Sequence, residues 1–600
     1  MKKRNVWMWF AILCCGLVLF SCSDDDENGY RKSDHGQDVY NEEDGDAEED
    51  GDADVAILYY ALGGGNLDYP SEYDFMSAAH MIKTETDNVR FFVQFKYSGK
   101  LGYDAYVQKK RKKNPKFNYV MSGEYGQVYR YEVLPSMLNP EYLLPRGEVD
   151  DFQENGKKIF PNLAPYRFAD SSFEMYKPGN LADFIKWALK QAPEAKSVVL
   201  CFGDHGGGYK LNVDTLKTTR GTLYDDNLTG KPCMSVMEIA EALKMLSADE
   251  LAKLKIVDFD CCLMSNLETL GELKDLVPYV IASSHVVSSA NMGWLVAYMG
   301  QSEGDEKLMA QNAVKYISDV VKGYQKGYME TPEKDREIDG ADLDYTVTDM
   351  KKLDALFASI KNVVDYLTSD ANAPTLTAKA DAYTTAASEC YNYVGNTPLY
   401  DIVDYLNKLQ KNVFLDNAEF AALVQAVKSA AKAAQLGHYD YTFSLDPNEG
   451  KNDLGLSYSV TLGCNAGIFS FSDNVKATDI PENWDDMGAV MVTIKGGEGV
   501  ANNMYFNEVV FEDGHSYATT WLKDQPVDYT RLNEVDILIS GNVSWAATYN
   551  KTAFDNATGW SKWMKKNPGL PKNNPPYRVA SSDISDDMAD WLEFGYGLDD

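Results

Sequence analysis

Two short polar strings constrain this chain more than anything else in it. Asp204-His205-Gly206-Gly207-Gly208 follows directly on the apolar, strand-forming run Ser197–Phe202, and Asp260-Cys261-Cys262-Leu263-Met264 follows on Lys255–Phe259. Two such runs, each breaking into a turn, place one imidazole and one thiol at the same end of two strands of a sheet. A thiol attacks a carbonyl as thiolate, so it needs a nearby base or a depressed pKa. The glycines after His205 allow a sharp turn and a close approach of backbone to substrate. The pattern points to a cysteine hydrolase.

From Val55 onward strand-like and helical patterns alternate. Val55–Leu62, Val89–Phe95 and Tyr279–Ser283 read as further strands. Asn180 precedes Leu181, Phe184, Ile185, Ala188 and Leu189 at helical spacing, and Ser235 with Glu238 forms a capping box ahead of Ile239, Leu243 and Leu246. Such alternation predicts an α/β fold with a mostly parallel sheet covered by helices on both faces. Ligands then bind beyond the carboxyl ends of the strands, where both strings fall.

The remainder reads differently. Residues 100–178 are Tyr-, Lys- and Pro-rich and are expected to be loops with short strands. Residues 305–440 read as mainly helical, with an apolar stripe at Phe420, Leu423, Val424 and Val427 closed by Gly437. Residues 441–600 turn to short β-like runs such as Leu454–Leu462, Val490–Ile494 and Val535–Ile539. Six hundred residues exceed one core. The expected plan is a catalytic domain over 55–304, a helical region over 305–440 and a β-rich region over 441–600, the last two forming a second, mixed α+β C-terminal domain.

The amino terminus carries its own signal. Lys2, Lys3 and Arg4 precede the apolar run Val6–Phe20, which is too short for a comfortable membrane span. The run ends Leu19-Phe20-Ser21-Cys22, which resembles a bacterial lipobox, so 1–21 is expected to be a lipoprotein signal with Cys22 lipidated. Ser23-Asp24-Asp25-Asp26-Glu27 resembles the surface-export signal of Bacteroidota lipoproteins. Residues 24–54 hold fifteen Asp and Glu against Arg31 and Lys32; with no apolar period, 22–54 is expected to be a disordered tether. The expected location is the outer membrane, at the cell surface, anchored by lipid. A net charge of −34 argues against a nucleic-acid partner.

The two strings, 57 residues apart, are similar to the paired motifs of the clostripain-like cysteine peptidases, the C11 family. That family has a strand ending in His-Gly and a later strand ending in Asp-x-Cys-Leu-Met. Asp54–Asp68 resembles its first strand and Asn-Leu loop, and Phe554–Trp563 resembles its tail. The resemblance implies the caspase-like fold shared by caspases, legumains and gingipains. It implies a dyad in which Cys262 is the nucleophile and His205 moves the proton, with no third orienting residue essential. The backbone amides of Gly206 and Cys262 are the natural oxyanion donors.

Strand alternation puts Asp260 on the same side as Cys262, where a carboxylate selects Arg or Lys before the cut, unless it merely caps the following helix. Alternation turns Cys261 the other way. Family members often carry acidic residues after the strand matching Tyr279–Ser283, whereas this chain has Ser284 and His285, the remaining candidates for the pocket. The resemblance also implies possible self-cleavage between the motifs, here at Lys217 or Arg220, since Lys210 lies too close to His205; an uncut surface loop is the alternative. No cofactor is required on this reading. Calcium at Asp225, Asp226 and Asn227 is a possibility the family raises, against a plain polar turn. No His or Cys pair stands at metal-ligand spacing around His205, and Gly63–Gly65 lacks the Gly-Lys-Ser/Thr of a phosphate loop. The rival to a peptidase is a surface lipoprotein that keeps the fold without catalysis and binds glycan or peptide.

Overall fold

The computed structural model describes residues 53–142, 156–208, 210–212, 218–220, 222–225, 227–228, 233–285, 287, 292–330, 343–394, 397–441, 458–461 and 552–567, and the strand segments 471–475, 493–495, 505–512, 515–521 and 536–539. In chain order the strands are β1 (Val55–Leu62), β2 (Val89–Lys96), β3 (Val128–Glu132), β4 (Arg167–Ala169), β5 (Ser197–Gly203), β6 (Lys210–Asn212), β7 (Thr218–Arg220), β8 (Leu254–Asp260), β9 (Tyr279–Ala282), β10 (Leu343–Asp349), β11 (Asn392–Val394), β12 (Thr397–Asp401), β13 (Gln435–Tyr441) and β14 (Ser459–Thr461). The main sheet runs β13-β10-β9-β8-β5-β1-β2-β3-β4. Its five central strands, β9-β8-β5-β1-β2, are parallel, and the two at each edge are antiparallel.

The α/β architecture follows from residues buried on both faces. Along β1, Ala56, Leu58, Tyr60 and Leu62 face one layer, packing with the helices Pro178–Gln191, Val236–Lys244 and Leu267–Leu273. Val55, Ile57, Tyr59 and Ala61 face the other, against Asp68–Thr84, Met292–Gly300 and Glu306–Glu330. Burial of such side chains contributes roughly 1.5–3 kcal/mol each. It forces the period-two alternation that continues along β8, where Val257, Phe259 and Cys261 point one way and Ile256 the other.

The chain departs from expectation in three places. Residues 100–113 are helical, held by buried Tyr106 and Val107, a contact too short to register as an apolar stripe. Beyond residue 304 the chain stays in the first sheet: β10 pairs with β9 and β13 with β10. Gly437 lies within β13, opposite Val347, rather than closing the helix Ala418–Ala434, and glycine is needed there because a Cβ would stand 2.6 Å from the Val314 side chain. After the later β segments, the helices Ala553–Thr558 and Trp560–Lys566 return to the first core. Ala553 N–H donates to Glu272, and Trp563 Nε1–H to Tyr405 Oη at 3.2 Å. Among the described residues no helix is long and apolar enough to cross a membrane.

Candidate active site

The register of the parallel strands builds the site. Gly203, the last residue of β5, lies opposite Asp260, the last of β8. The chain therefore leaves the sheet at one level on both strands, and His205 and Cys262 follow two residues later on adjacent turns. Gly206 packs so tightly on the second turn that a Cβ would overlap the Cys262 carbonyl and stand 2.6 Å from the Cys262 nitrogen. Only glycine permits this contact, which seats the His205 turn directly on the Cys262 backbone.

Cys262 sits at the head of a braced turn. Leu263 takes φ +64°, in the left-handed region that costs a branched residue energy. Leu263 N–H donates to the His285 carbonyl at 2.9 Å and Ser265 N–H to the Ser283 carbonyl at 2.8 Å. Asn266 caps the helix Leu267–Leu273 by accepting from Thr269 N–H. Val287 N–H donates to the Cys262 sulfur at 3.2 Å, which suits a thiolate as it forms, and Leu399 on β12 packs against the same residue. Cys261 points into the core as alternation requires. Its thiol meets Thr222 Oγ1 at 2.9 Å, and burial raises its pKa well above the usual thiol value.

The half-buried His205 is held from two sides. Asp204 accepts both the His205 N–H and the Tyr224 N–H, locking the turn. The β1–helix loop covers the ring: a Cβ on Gly64, at φ +50°, would stand 3.3 Å from His205 Cδ2. From the same loop Asn66 Oδ1 lies 2.9 Å from His205 Nε2. Burial lowers the imidazole pKa to about 4, so the ring is neutral at ordinary pH.

Below the thiol, on the same side of β8, lies the half-buried Asp260. Tyr59 Oη on β1 donates to Asp260 Oδ2 at 3.0 Å across Gly203, where a Cβ would overlap that hydroxyl. Asp258, one step deeper, is fully buried; desolvation first and Asp260 second push its pKa well up, so the carboxyl group offered outward is Asp260. Ser284 and His285 turn inward instead. Ser284 Oγ donates to the Ser265 carbonyl at 2.9 Å, and both backbone N–H groups donate to Asp344. His285 Nε2 meets Tyr391 Oη at 2.8 Å. These residues hold up the Cys262 turn from beneath.

Asp225 is engaged by a cation already in the chain. Lys96 Nζ pairs with Asp225 Oδ2 at 2.5 Å with both side chains fully buried, and also donates to the Ser171 and Phe173 carbonyls. An ammonium on this carboxylate does not fit a calcium ion there, and among the described residues no group of three His, Cys, Asp or Glu is arranged to hold a metal. Asp226, Lys217 and Cys22 lie outside the described residues. Arg220 closes the β6–β7 hairpin opposite Lys210. Lys96→Met is expected to destabilise the protein by about 3–5 kcal/mol, because it strands a buried carboxylate. Denaturant unfolding checks this, and Lys96→Met with Asp225→Leu should recover much of the loss.

The sequence reading assigns no role to Tyr59, Asn66, Asp204 or Asp344. Asn66 and Tyr59 lie in the first strand and its loop, and their signal is the Gly-Gly-Gly-Asn string at the end of β1.

Residues 155–564, more than half of the chain, match the family model of the clostripain family, peptidase family C11. The chain belongs to the clostripain family. It is therefore a cysteine-type peptidase, and its two strings follow β5 and β8, the strands on which they were expected. Solved structures similar to this clostripain-family chain include a secreted C11 cysteine protease from Bacteroides thetaiotaomicron in complex with an irreversible peptide inhibitor. It is 13% identical, with 68% of this chain and 92% of that chain covered, at a TM-score of 0.42. A second, iotapain from the same organism, is 15% identical over 65% and 87%, at 0.39. An inactive zymogen C11 protease from Parabacteroides distasonis is 16% identical over 66% and 87%, also at 0.39. Comparison with curated proteins finds no match.

Proposed function

We propose that this chain is an endopeptidase that cuts after Arg or Lys, using Cys262 as nucleophile and His205 as the proton carrier. The observation that carries the reading is the glycine contact that seats the His205 turn on the Cys262 backbone, with Asp260 half-exposed beneath. Neutral His205 takes the thiol proton as sulfur attacks the scissile carbonyl carbon. The oxyanion forms between the amides of Gly206 and Cys262, and Val287 N–H supports the sulfur. Collapse breaks the C–N bond, His205 returns the proton to the leaving amine, and a thioester remains on Cys262. Water, deprotonated by His205, then cleaves the thioester. Asp260 receives the cation of the residue before the cut, and Tyr59 fixes the orientation of that carboxylate. Hydrolysis of fluorogenic peptides that differ only in that residue tests this. Arg and Lys substrates should turn over well, and Leu, Gln and Asp substrates poorly; equal rates would end the assignment of Asp260.

The lipobox at Leu19–Cys22 supports export and anchoring of the mature enzyme at the outer membrane through Cys22, facing protein or peptide substrates outside the cell. Self-processing between the motifs belongs to the same reading. Arg220 is the last residue of β7, in a hairpin whose first strand begins two residues past Gly208, and Lys217 directly precedes β7 in sequence. Cleavage there should leave the fragments joined, since β5 and β8 are neighbours in one sheet and Lys96–Asp225 pins the returning chain. Purified wild type should yield two fragments split after residue 217 or 220 that co-elute on gel filtration, while Cys262→Ala stays whole. A fully active enzyme that remains one intact chain would remove self-processing and leave the dyad untouched.

A further inference from the structure

We propose that Asn66 is a positioning residue for the reaction: its side-chain oxygen accepts the Nε2–H of His205 and so assigns the proton-accepting role to Nδ1. This rests on the reading of His205 as the base.

Neutral imidazole has one N–H and one lone pair, and which nitrogen carries the hydrogen is set by what the other atoms around it accept or donate. Among the described residues, the only hydrogen-bond partner of Nε2 is Asn66 Oδ1, at 2.9 Å, an atom that accepts and never donates. With Oδ1 as the acceptor, the hydrogen is on Nε2 and Nδ1 holds the lone pair. The Asn66 backbone is itself fixed. Asn66 N–H and Leu67 N–H both donate to the Gly63 carbonyl, Gly65 N–H donates to Ser98 Oγ, and Gly64 presses on the imidazole. The loop is thus a rigid arm from β1 that reaches across the end of β5 to the ring. An amide is suited to this place. A carboxylate would favour the imidazolium and hold the proton that must pass on to the leaving amine, whereas a neutral acceptor fixes the tautomer without trapping charge.

Three variants and two readouts test the assignment. With His205 titrating at about pH 4, kcat/KM of the wild type should fall only as pH drops through that value, because the protonated ring cannot take the thiol proton. Asn66→Ala frees the ring to choose the wrong tautomer and should lower kcat by about 10–100-fold with KM unchanged, the scale of a misplaced group. Asn66→Asp keeps an acceptor and adds charge. It should retain kcat within about tenfold of wild type while moving the acid limb upward by about one to two pH units, as an added opposite charge does. The rate of Cys262 alkylation by iodoacetamide, which needs no peptide binding, should show the same limb and the same shift. An Asn66→Ala enzyme with wild-type kcat and limb would overturn the proposal. So would an Asn66→Asp enzyme as poor as Asn66→Ala with no movement of the limb, since that is the pattern of a donor or of a purely structural residue. If Asn66→Ala does not fold, the limb of Asn66→Asp decides. Activity surviving in Cys262→Ala would instead remove the dyad itself. A dead Cys262→Ala beside indifferent Asn66 variants removes only the role of Asn66.

Discussion

Cys262→Ala should reduce peptide hydrolysis by on the order of 10⁶-fold in kcat, the scale on which a hydrolase loses turnover with its nucleophile. The fold should survive. Alanine fits a position that is 2% exposed and contributes only a sulfur to the packing of Leu263, Val287 and Leu399. Cys261→Ala is the informative companion, because the two thiols are adjacent and face opposite sides of the strand. That change removes a buried sulfur and its contact with Thr222, costing about 1–2 kcal/mol of stability at the lower end of core truncations. Turnover should remain within a few-fold of wild type. A dead Cys261→Ala beside an active Cys262→Ala would reverse the assignment.

Asp260→Asn should cost Arg and Lys substrates more than a hundredfold in kcat/KM. Removing one partner of a buried charge pair costs about 3–5 kcal/mol, at about 1.4 kcal/mol per decade. The substitution is nearly isosteric, and the Tyr59 hydroxyl still finds an oxygen to donate to. Substrates with an uncharged residue before the cut should lose little. Equal losses on charged and uncharged substrates would show that Asp260 supports the site structurally.

The parallel heart of the fold is legible because its strands are continuous apolar runs, each ending in a marked turn. Val55–Leu62 has the same bounds in sequence and structure, and the other four central strands differ by about a residue or two at their ends. The two strings are legible for the same reason, and alternation alone assigns Cys261 to the core. What is hidden in the sequence is hidden by distance along the chain. Asn66 meets His205 across 139 residues and Tyr59 meets Asp260 across 201, contacts that exist only because β1, β5 and β8 are neighbours. Ser284 and His285 have the polarity of pocket residues. Their inward direction is set by Asp344, about sixty positions later, on a strand inside a stretch whose composition reads as helical. Asp225 likewise has the look of an oxygen ligand in a turn until Lys96 arrives from β2. Local pattern reports which element forms; the partners of a polar group depend on topology.

The most direct measurement is covalent labelling by a peptidyl-Arg or peptidyl-Lys thiol-reactive probe, with the adduct located by mass spectrometry. The expected result is one adduct on Cys262, formed rapidly by wild type, slowly by Asp260→Asn, and absent from Cys262→Ala. An adduct on another cysteine, or no labelling of folded, processed protein, would contradict the dyad of Cys262 and His205 and favour a surface protein that binds without cutting.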